Sequence, residues 1–77
     1  MARKFINFPS LVILDDGNTE VHIYESGTSD KSLRNIFWDI LAKKGYELSE
    51  KELDSLIEHG MWTDSDTIDV YYTRSSN

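Results

Sequence analysis

The chain has 77 residues and no cysteine, and its eight Lys and Arg against fourteen Asp and Glu give a formal net charge of −6. A chain of this length forms one domain with a thin core. We therefore expect a single domain over residues 1–77, with a frayed tail at residues 74–77. The missing cysteines exclude disulfides, thiolate catalysis, Cys-ligated zinc and iron–sulfur clusters.

No membrane or export signal is expected from the apolar segments. The longest apolar run, residues 11–14, is far short of the roughly 20 residues that span a bilayer. Residues 1–5 are basic, but no apolar segment of the kind found in a signal peptide follows them. The sequence predicts a cytoplasmic protein without a membrane partner.

The first part of the chain predicts a β-hairpin. Residues 5–14 favour a strand that is interrupted or bulged at Pro9, because proline cannot donate to a sheet ladder. The sequence Asp-Asp-Gly-Asn at residues 15–18 is a strong turn signal. Residues 20–25 then alternate with period two, which places Val21 and Ile23 on one face and the neighbouring His22 on the other.

Two helices and a last strand are predicted next. Ser29 or Asp30 can cap the first helix, whose apolar residues recur at the spacing of a single helical stripe. Ser49 and Glu52 form a capping box at the start of the second helix, and Gly60 ends it. Residues 67–73 predict the last strand. The result is an α+β fold of order ββααβ, a three-stranded antiparallel sheet with two helices packed on one face. The helical residues expected to face the sheet are Leu33, Ile36, Phe37, Ile40, Leu41, Leu53, Leu56 and Ile57.

No catalytic or metal-binding motif is recognisable. Residues 64–69 open like a calcium loop, but Ile68 stands where the third oxygen ligand belongs, and no turn glycine or closing glutamate follows. His22 and His59 are the only imidazoles, and neither lies in a local catalytic signature. A thin domain also has little room for a pocket that would tune a pair of carboxylates. We expect a protein that is not an enzyme and that holds no metal and no cofactor.

Charge is segregated along the chain. Residues 5–30 carry five acids and no base, and residues 45–73 carry eight acids and a single base. Residues 31–44 have a net charge of +3, and these bases are expected either to contact phosphates or to pair with the surrounding carboxylates. The acids of residues 47–58 recur every three or four positions, which predicts one stripe along the second helix. The predicted partner-binding carboxylates are Asp15, Asp16, Glu47, Glu50, Asp54, Glu58, Asp64, Asp66 and Asp69.

In size, acidity, lack of cysteine and α+β pattern, the whole chain resembles the small acidic proteins of bacteriophages and mobile elements that mimic DNA. The resemblance is one of overall pattern, so no residue role is carried over from that class. It implies a basic host DNA-binding protein, nucleoid or regulatory, as partner, a bacterial cytoplasm as compartment, and no cofactor or direct nucleic-acid ligand. Two alternatives stay open. One is a protein-interaction domain whose acidity only provides solubility, and the other is a nucleic-acid binder that uses residues 31–44.

The aromatic residues predict an assembly. Two Trp, four Tyr and three Phe are more than so small a core accommodates. Trp38 is rotated by about 100° around the helix from Phe37 and so points away from the core stripe. The surplus aromatics can roof the edges of the thin core, or they can be buried in an interface, where Trp and Tyr are over-used. The interface interpretation predicts a homodimer that buries them through a sheet face or edge.

Overall fold

A computed structural model describes residues 8–74 and shows an α+β fold with the element order ββααββ. The strands pair antiparallel in the order β2-β1-β4-β3. The predicted class is confirmed, but the predicted count of three strands is wrong. Residues 5–7 of the predicted first strand and residues 75–77 of the predicted tail lie outside the described residues. The elements are β1 (Ser10–Asp15), β2 (Asn18–Ile23), α1 (Asp30–Lys43), α2 (Glu50–His59), β3 (Met61–Thr63) and β4 (Ile68–Thr73).

The predicted hairpin turn is present between β1 and β2. Asp15 lies opposite Asn18, so only two residues form the loop. These two, Asp16 and Gly17, have φ angles of 48° and 85°. Positive φ at both central positions is the requirement of a type I′ turn, whose twist matches that of the flanking strands. The turn therefore sets the register of the hairpin.

Local capping sets the bounds of both helices. The Ser29 side chain accepts a hydrogen bond from the Ser32 N–H at the start of α1. At the start of α2, both hydrogen bonds of the predicted Ser49–Glu52 capping box are present. Gly60 ends α2 with a φ of 81°, and a Cβ there would lie 2.8 Å from the carbonyl oxygen of Tyr72. A side chain at this position would be excluded by both its conformation and its surroundings.

Both helices cover the same face of the sheet, as predicted. Alternate residues of β1 and β4 point to this face and are buried, and they form one cluster with the apolar stripes of α1 and α2. Ile36 and Ile40 pack at the margin of the cluster and are partly buried. The central members from the two strands are Leu11, Ile13, Ile68, Val70 and Tyr72, and those from the two helices are Leu33, Phe37, Leu41, Leu53, Leu56 and Ile57.

The opposite face, which we call the open face, carries a row of apolar side chains. Val21, Val12, Tyr71 and Met61 lie opposite one another across all four strands. The alternation predicted for β2 is confirmed, but the helices cover its other side, where Glu20 contacts Lys44 of the α1 C-cap. The apolar residues of β2 consequently point away from the core.

Candidate functional site

Three chain segments meet at one end of the sheet. The Asp16 N–H in the β1–β2 turn donates to the carbonyl oxygen of Thr67 at 3.1 Å. The hydroxyl of Tyr46, in the α1–α2 linker, lies 2.8 Å from Thr67 Oγ1. These contacts join the turn, the linker and the loop between β3 and β4. They bring to this end six of the predicted carboxylates, which we call the acidic end: Asp15, Asp16, Glu47, Glu50, Asp64 and Asp66.

Asp64 holds the β3–β4 loop in place. Its Oδ1 accepts backbone N–H groups from Asp66, Thr67 and Ile68 at 2.9, 2.9 and 3.0 Å. Its Oδ2 accepts the hydroxyl of Thr67 at 3.1 Å. These hydrogen bonds, among which that from Ile68 contributes most, lower the pKa of Asp64 from its ordinary 3.8 to about 2. Asp64 therefore stays charged while it orders the loop that presents Asp66.

Asp64, the first carboxylate of this calcium-like sequence, binds the backbone of its own loop. Within residues 8–74, no three His, Asp or Glu side chains are placed to hold a metal ion. Asp64 Oδ1 is occupied by three backbone donors rather than turned towards a shared ligand position. The aspartate acts as a cap for the backbone of its own loop, a common role for this residue in turns.

The acids predicted to form a stripe along α2, and Asp69, do not all lie at the acidic end. Glu47 precedes α2, so the predicted stripe of acids on this helix is wrong at its first member. Glu58 is exposed and lies about 12 Å along the helix axis from Glu50. Asp69 lies on the open face, opposite Leu14 of β1. Glu50, Asp54 and Glu58 recur every four residues along α2 and share one helix face, whereas Glu47 and Asp69 lie outside the helix.

Asp54 belongs to an ion pair. Its Oδ1 lies 2.9 Å from Arg34 Nε across the two helices, although the Nε–H is not aligned for a hydrogen bond. The contact is a charge pairing rather than an oriented bond, and it takes Asp54 out of the set of free carboxylates. It also accounts for one of the bases of residues 31–44.

Two further bases of residues 31–44 are paired within the molecule. Lys43 Nζ lies 3.1 Å from Asp39 one helical turn earlier. Lys44 donates to Glu20 of β2, and this bond, followed by one from His22, lowers the pKa of Glu20 below its ordinary value. Of the four bases in this stretch, only Lys31 makes no ion pair with any described residue. The basic stretch is therefore largely neutralised by carboxylates of the same chain.

Aromatic contacts support the acidic end from inside. Tyr46 and Trp62 pack edge to face, with ring centroids 6.1 Å apart. Trp62 Nε1–H donates to Glu52 at 3.1 Å, and Glu52 also accepts the backbone N–H of Ser49. The bond from Ser49 is the main cause, and that from Trp62 the second, of a lowered pKa for Glu52. This network ties the N-terminus of α2 to β3, and no sequence motif points to it.

Comparison of the chain with models of known protein families, with curated proteins and with solved structures finds no match. In the described part of the chain, neither helix is long and apolar enough to cross a membrane. The basis for assigning a function is therefore the geometry of the acidic end and the pairing of the bases.

Proposed function

We propose that this chain is a non-enzymatic binding protein whose acidic end takes the place of DNA on a basic DNA-binding protein. The observation that supports it most is the convergence of carboxylates from three segments far apart in the sequence, through the contacts of Asp16 and Tyr46 with Thr67. A turn, a linker and a loop each supply exposed acids there, and no Lys or Arg lies within those three segments apart from the paired Lys44.

Most of the described bases are held in ion pairs with carboxylates outside the acidic end. Residues 8–74 contain six Lys and Arg against fourteen Asp and Glu. Four of the six bases, among them Arg34, Lys43 and Lys44, make ion pairs with carboxylates elsewhere on the molecule. Fields of exposed charges extend over a screening length of about 8–10 Å at ordinary salt. A basic surface that approaches the acidic end consequently meets carboxylates of the turn, linker and loop, and the one described base beside them that makes no ion pair is Lys51, which follows Glu50 in α2.

The proposed partner is a host nucleoid or regulatory protein that binds DNA through Lys and Arg. Arginine pairs with carboxylate through the same fork of N–H donors that it uses for phosphate. Proteins that bind DNA owe much of their affinity to phosphate contacts. Carboxylates on ordered loops can therefore occupy such a surface and exclude DNA from it, in the cytoplasm of a bacterial host.

The test is a competition for a DNA-binding protein. Labelled duplex DNA is saturated with a basic nucleoid protein, and this chain is titrated in at about 50 mM and at about 200 mM salt. We expect release of free DNA at the lower salt and a much weaker effect at the higher salt, because the contacts are electrostatic. No release from any of several nucleoid and regulatory proteins would contradict the proposal and favour a domain whose acidity only keeps it in solution. A shift of labelled DNA by this chain alone would instead indicate a nucleic-acid binder.

A further inference from the structure

Strand β2 (Asn18–Ile23) forms one edge of the sheet, and no described strand lies beyond it. Natural edge strands are usually blunted by Lys and other charges, Pro, a bulge, an inward-pointing charged residue or a covering segment. Glu20 of β2 points to the helix-covered side, but Lys44 of the same chain already pairs with it. β2 contains neither Lys nor Pro, and its register with β1 runs without a bulge. Its Ile23 and Val21 are 68% and 56% exposed, more than any other large apolar residue described. This edge has the features of a strand that pairs with another strand.

The hairpin determines which backbone groups of β2 are free to pair. Asp15 and Asn18 flank a two-residue turn, and such residues form a hydrogen-bonded pair. Bonded and non-bonded pairs then alternate along the ladder. The Tyr24 N–H donates to Pro9 at 2.9 Å, in agreement with this alternation. The even-numbered residues of β2 thus bond to β1, and the residues whose N–H and C=O groups point outwards are Thr19, Val21 and Ile23.

We propose that β2 pairs antiparallel with β2 of a second copy of this chain, with the two-fold axis at Val21. Directly opposed residues must both direct their backbone groups outwards, so an outward residue of one copy faces an outward residue of the other. With Val21 opposite Val21 of the second copy, Thr19 lies opposite Ile23. Three bonded pairs result, and the two sheets join into one of eight strands.

The positions of Glu20 and His22 distinguish this register from those shifted by two residues. With Val21 at the axis, Glu20 of each copy lies opposite His22 of the other, on the side covered by the helices. A shift of one copy by two residues puts Val21 opposite Thr19 and places the two Glu20 carboxylates opposite each other. The shift in the other direction places the two His22 rings opposite each other. Carboxylates directly opposite each other repel, whereas a carboxylate opposite an imidazole can accept a hydrogen bond from a ring N–H. The order of residues in β2 therefore favours the symmetric register, in which each Glu20, already bound by Lys44 of its own chain, also meets His22 of the other copy.

This inference does not rest on the proposed function, because no residue of the acidic end lies on β2. It places the exposed side chains of Val21 and Ile23 beside apolar or β-branched side chains of the second copy. It also extends the apolar row of the open face across both copies, since Val21 is the end of that row in each.

Cysteine crosslinking tests the register, since the chain has no cysteine of its own. In a bonded antiparallel pair the Cα atoms are about 5.5 Å apart, within the range that a disulfide spans. We expect Val21→Cys to form a covalent dimer under mild oxidation, several-fold faster than Met61→Cys at the same concentration. Met61 is an exposed residue of the other edge strand and reports on random collision. Equal rates for the two variants would overturn the proposal.

A mixing experiment checks the same register independently. Thr19→Cys and Ile23→Cys should crosslink readily when mixed, because these residues face each other. Each variant alone should crosslink slowly, since two copies of residue 19 would be separated by about 13 Å along the strands. Rapid crosslinking of Thr19→Cys with itself would contradict the register.

Sedimentation tests the assembly without a crosslink. We expect the unmodified chain to show twice its mass of 8.9 kDa as its concentration rises towards millimolar, and Val21→Lys to remain monomeric with an unchanged circular dichroism spectrum. A single monomer mass at all concentrations would contradict the proposal. So would a dimer that survives Val21→Lys and is lost on Tyr71→Lys, because that result would place the contact on the open face.

Discussion

The basic stretch and the acidic end differ in where their charges are used. In residues 31–44, three of four bases lie against carboxylates of the same chain, on α1, α2 and β2. At the acidic end, Asp64 is occupied by the backbone of its own loop, while Asp16, Glu47 and Asp66 are exposed and make no ion pair with any described residue. Segregation of charge in a sequence is thus a poor guide to the charge that a surface offers.

The difference has a structural cause. α1 runs over the sheet between α2 and β2, so bases on its sides and at its C-terminus reach the acids of both neighbours. The turn, linker and loop of the acidic end project beyond the sheet, where the described structure supplies the paired Lys44 and, next to Glu50 in the first turn of α2, Lys51. The bases of α1 and its C-cap are therefore paired with acids of neighbouring elements, whereas most acids of the acidic end make no ion pair with a described residue.

Leu41→Ala should have the largest effect, because it removes the anchor of the helix that carries the basic stretch. Leu41 is fully buried in the core, and deletion of a leucine side chain there costs about 2–5 kcal/mol of unfolding free energy. For a small domain that is much of the total stability. Thermal and urea denaturation measure it. Ile23→Ala, at an exposed position and in dilute solution, is the matched control. An unchanged melting curve for Leu41→Ala would contradict the packing described for α1.

Asp64→Ala should have a smaller effect that depends on pH. The folded chain lowers the pKa of Asp64 to about 2, so the stability that its charge contributes is fully present above its ordinary pKa of 3.8 and is lost as the pH falls through about 2. We expect the difference in unfolding free energy between the unmodified chain and Asp64→Ala to shrink between pH 5 and pH 2. Asp66→Asn is the control, since the Asp66 side chain makes none of these hydrogen bonds. A difference that stays constant over this range would show that the carboxylate does not hold the loop.

The smallest effect is expected for the pair between Arg34 and Asp54. Both side chains are partly exposed, and exposed ion pairs typically contribute about 0.2–1 kcal/mol. A double-mutant cycle with Arg34→Gln and Asp54→Asn, followed by urea denaturation, isolates the coupling. Zero coupling would contradict a stabilising role for this ion pair.

Element boundaries could be predicted from the sequence because short-range chemistry decides them. The Asp16-Gly17 turn, the Ser49–Glu52 capping box and the Gly60 stop each depend on residues within four positions of one another. β3 could not be predicted in this way, because three residues are too few to show an alternation. It forms because Gly60 reverses the chain, so that the Tyr72 N–H donates to the Gly60 carbonyl and Met61 comes to lie opposite Tyr71.

For the candidate site, the sequence predicts which acidic residues are involved but not how they are arranged. The spacing of Glu47 with the acids of α2 suggested one stripe, but the Ser49 cap excludes Glu47 from the helix. The meeting of the β1–β2 turn with the β3–β4 loop depends on the contact between Asp16 and Thr67, which the sheet order creates and no local pattern encodes. The partners of Arg34 and Lys44 are equally distant in the sequence.

The most direct test of the proposed role of the acidic end compares two variants of equal charge. Asp16→Asn/Asp66→Asn removes two exposed carboxylates of the acidic end, and Glu25→Gln/Glu58→Gln removes two exposed carboxylates outside it. The measurement is the concentration of each variant that releases half of a labelled duplex from a basic nucleoid protein at about 50 mM salt. We expect at least a tenfold higher concentration for the first variant and little change for the second, with both folded to the same extent. Equal losses for the two variants would mean that only net charge matters, and would contradict a binding role for the acidic end.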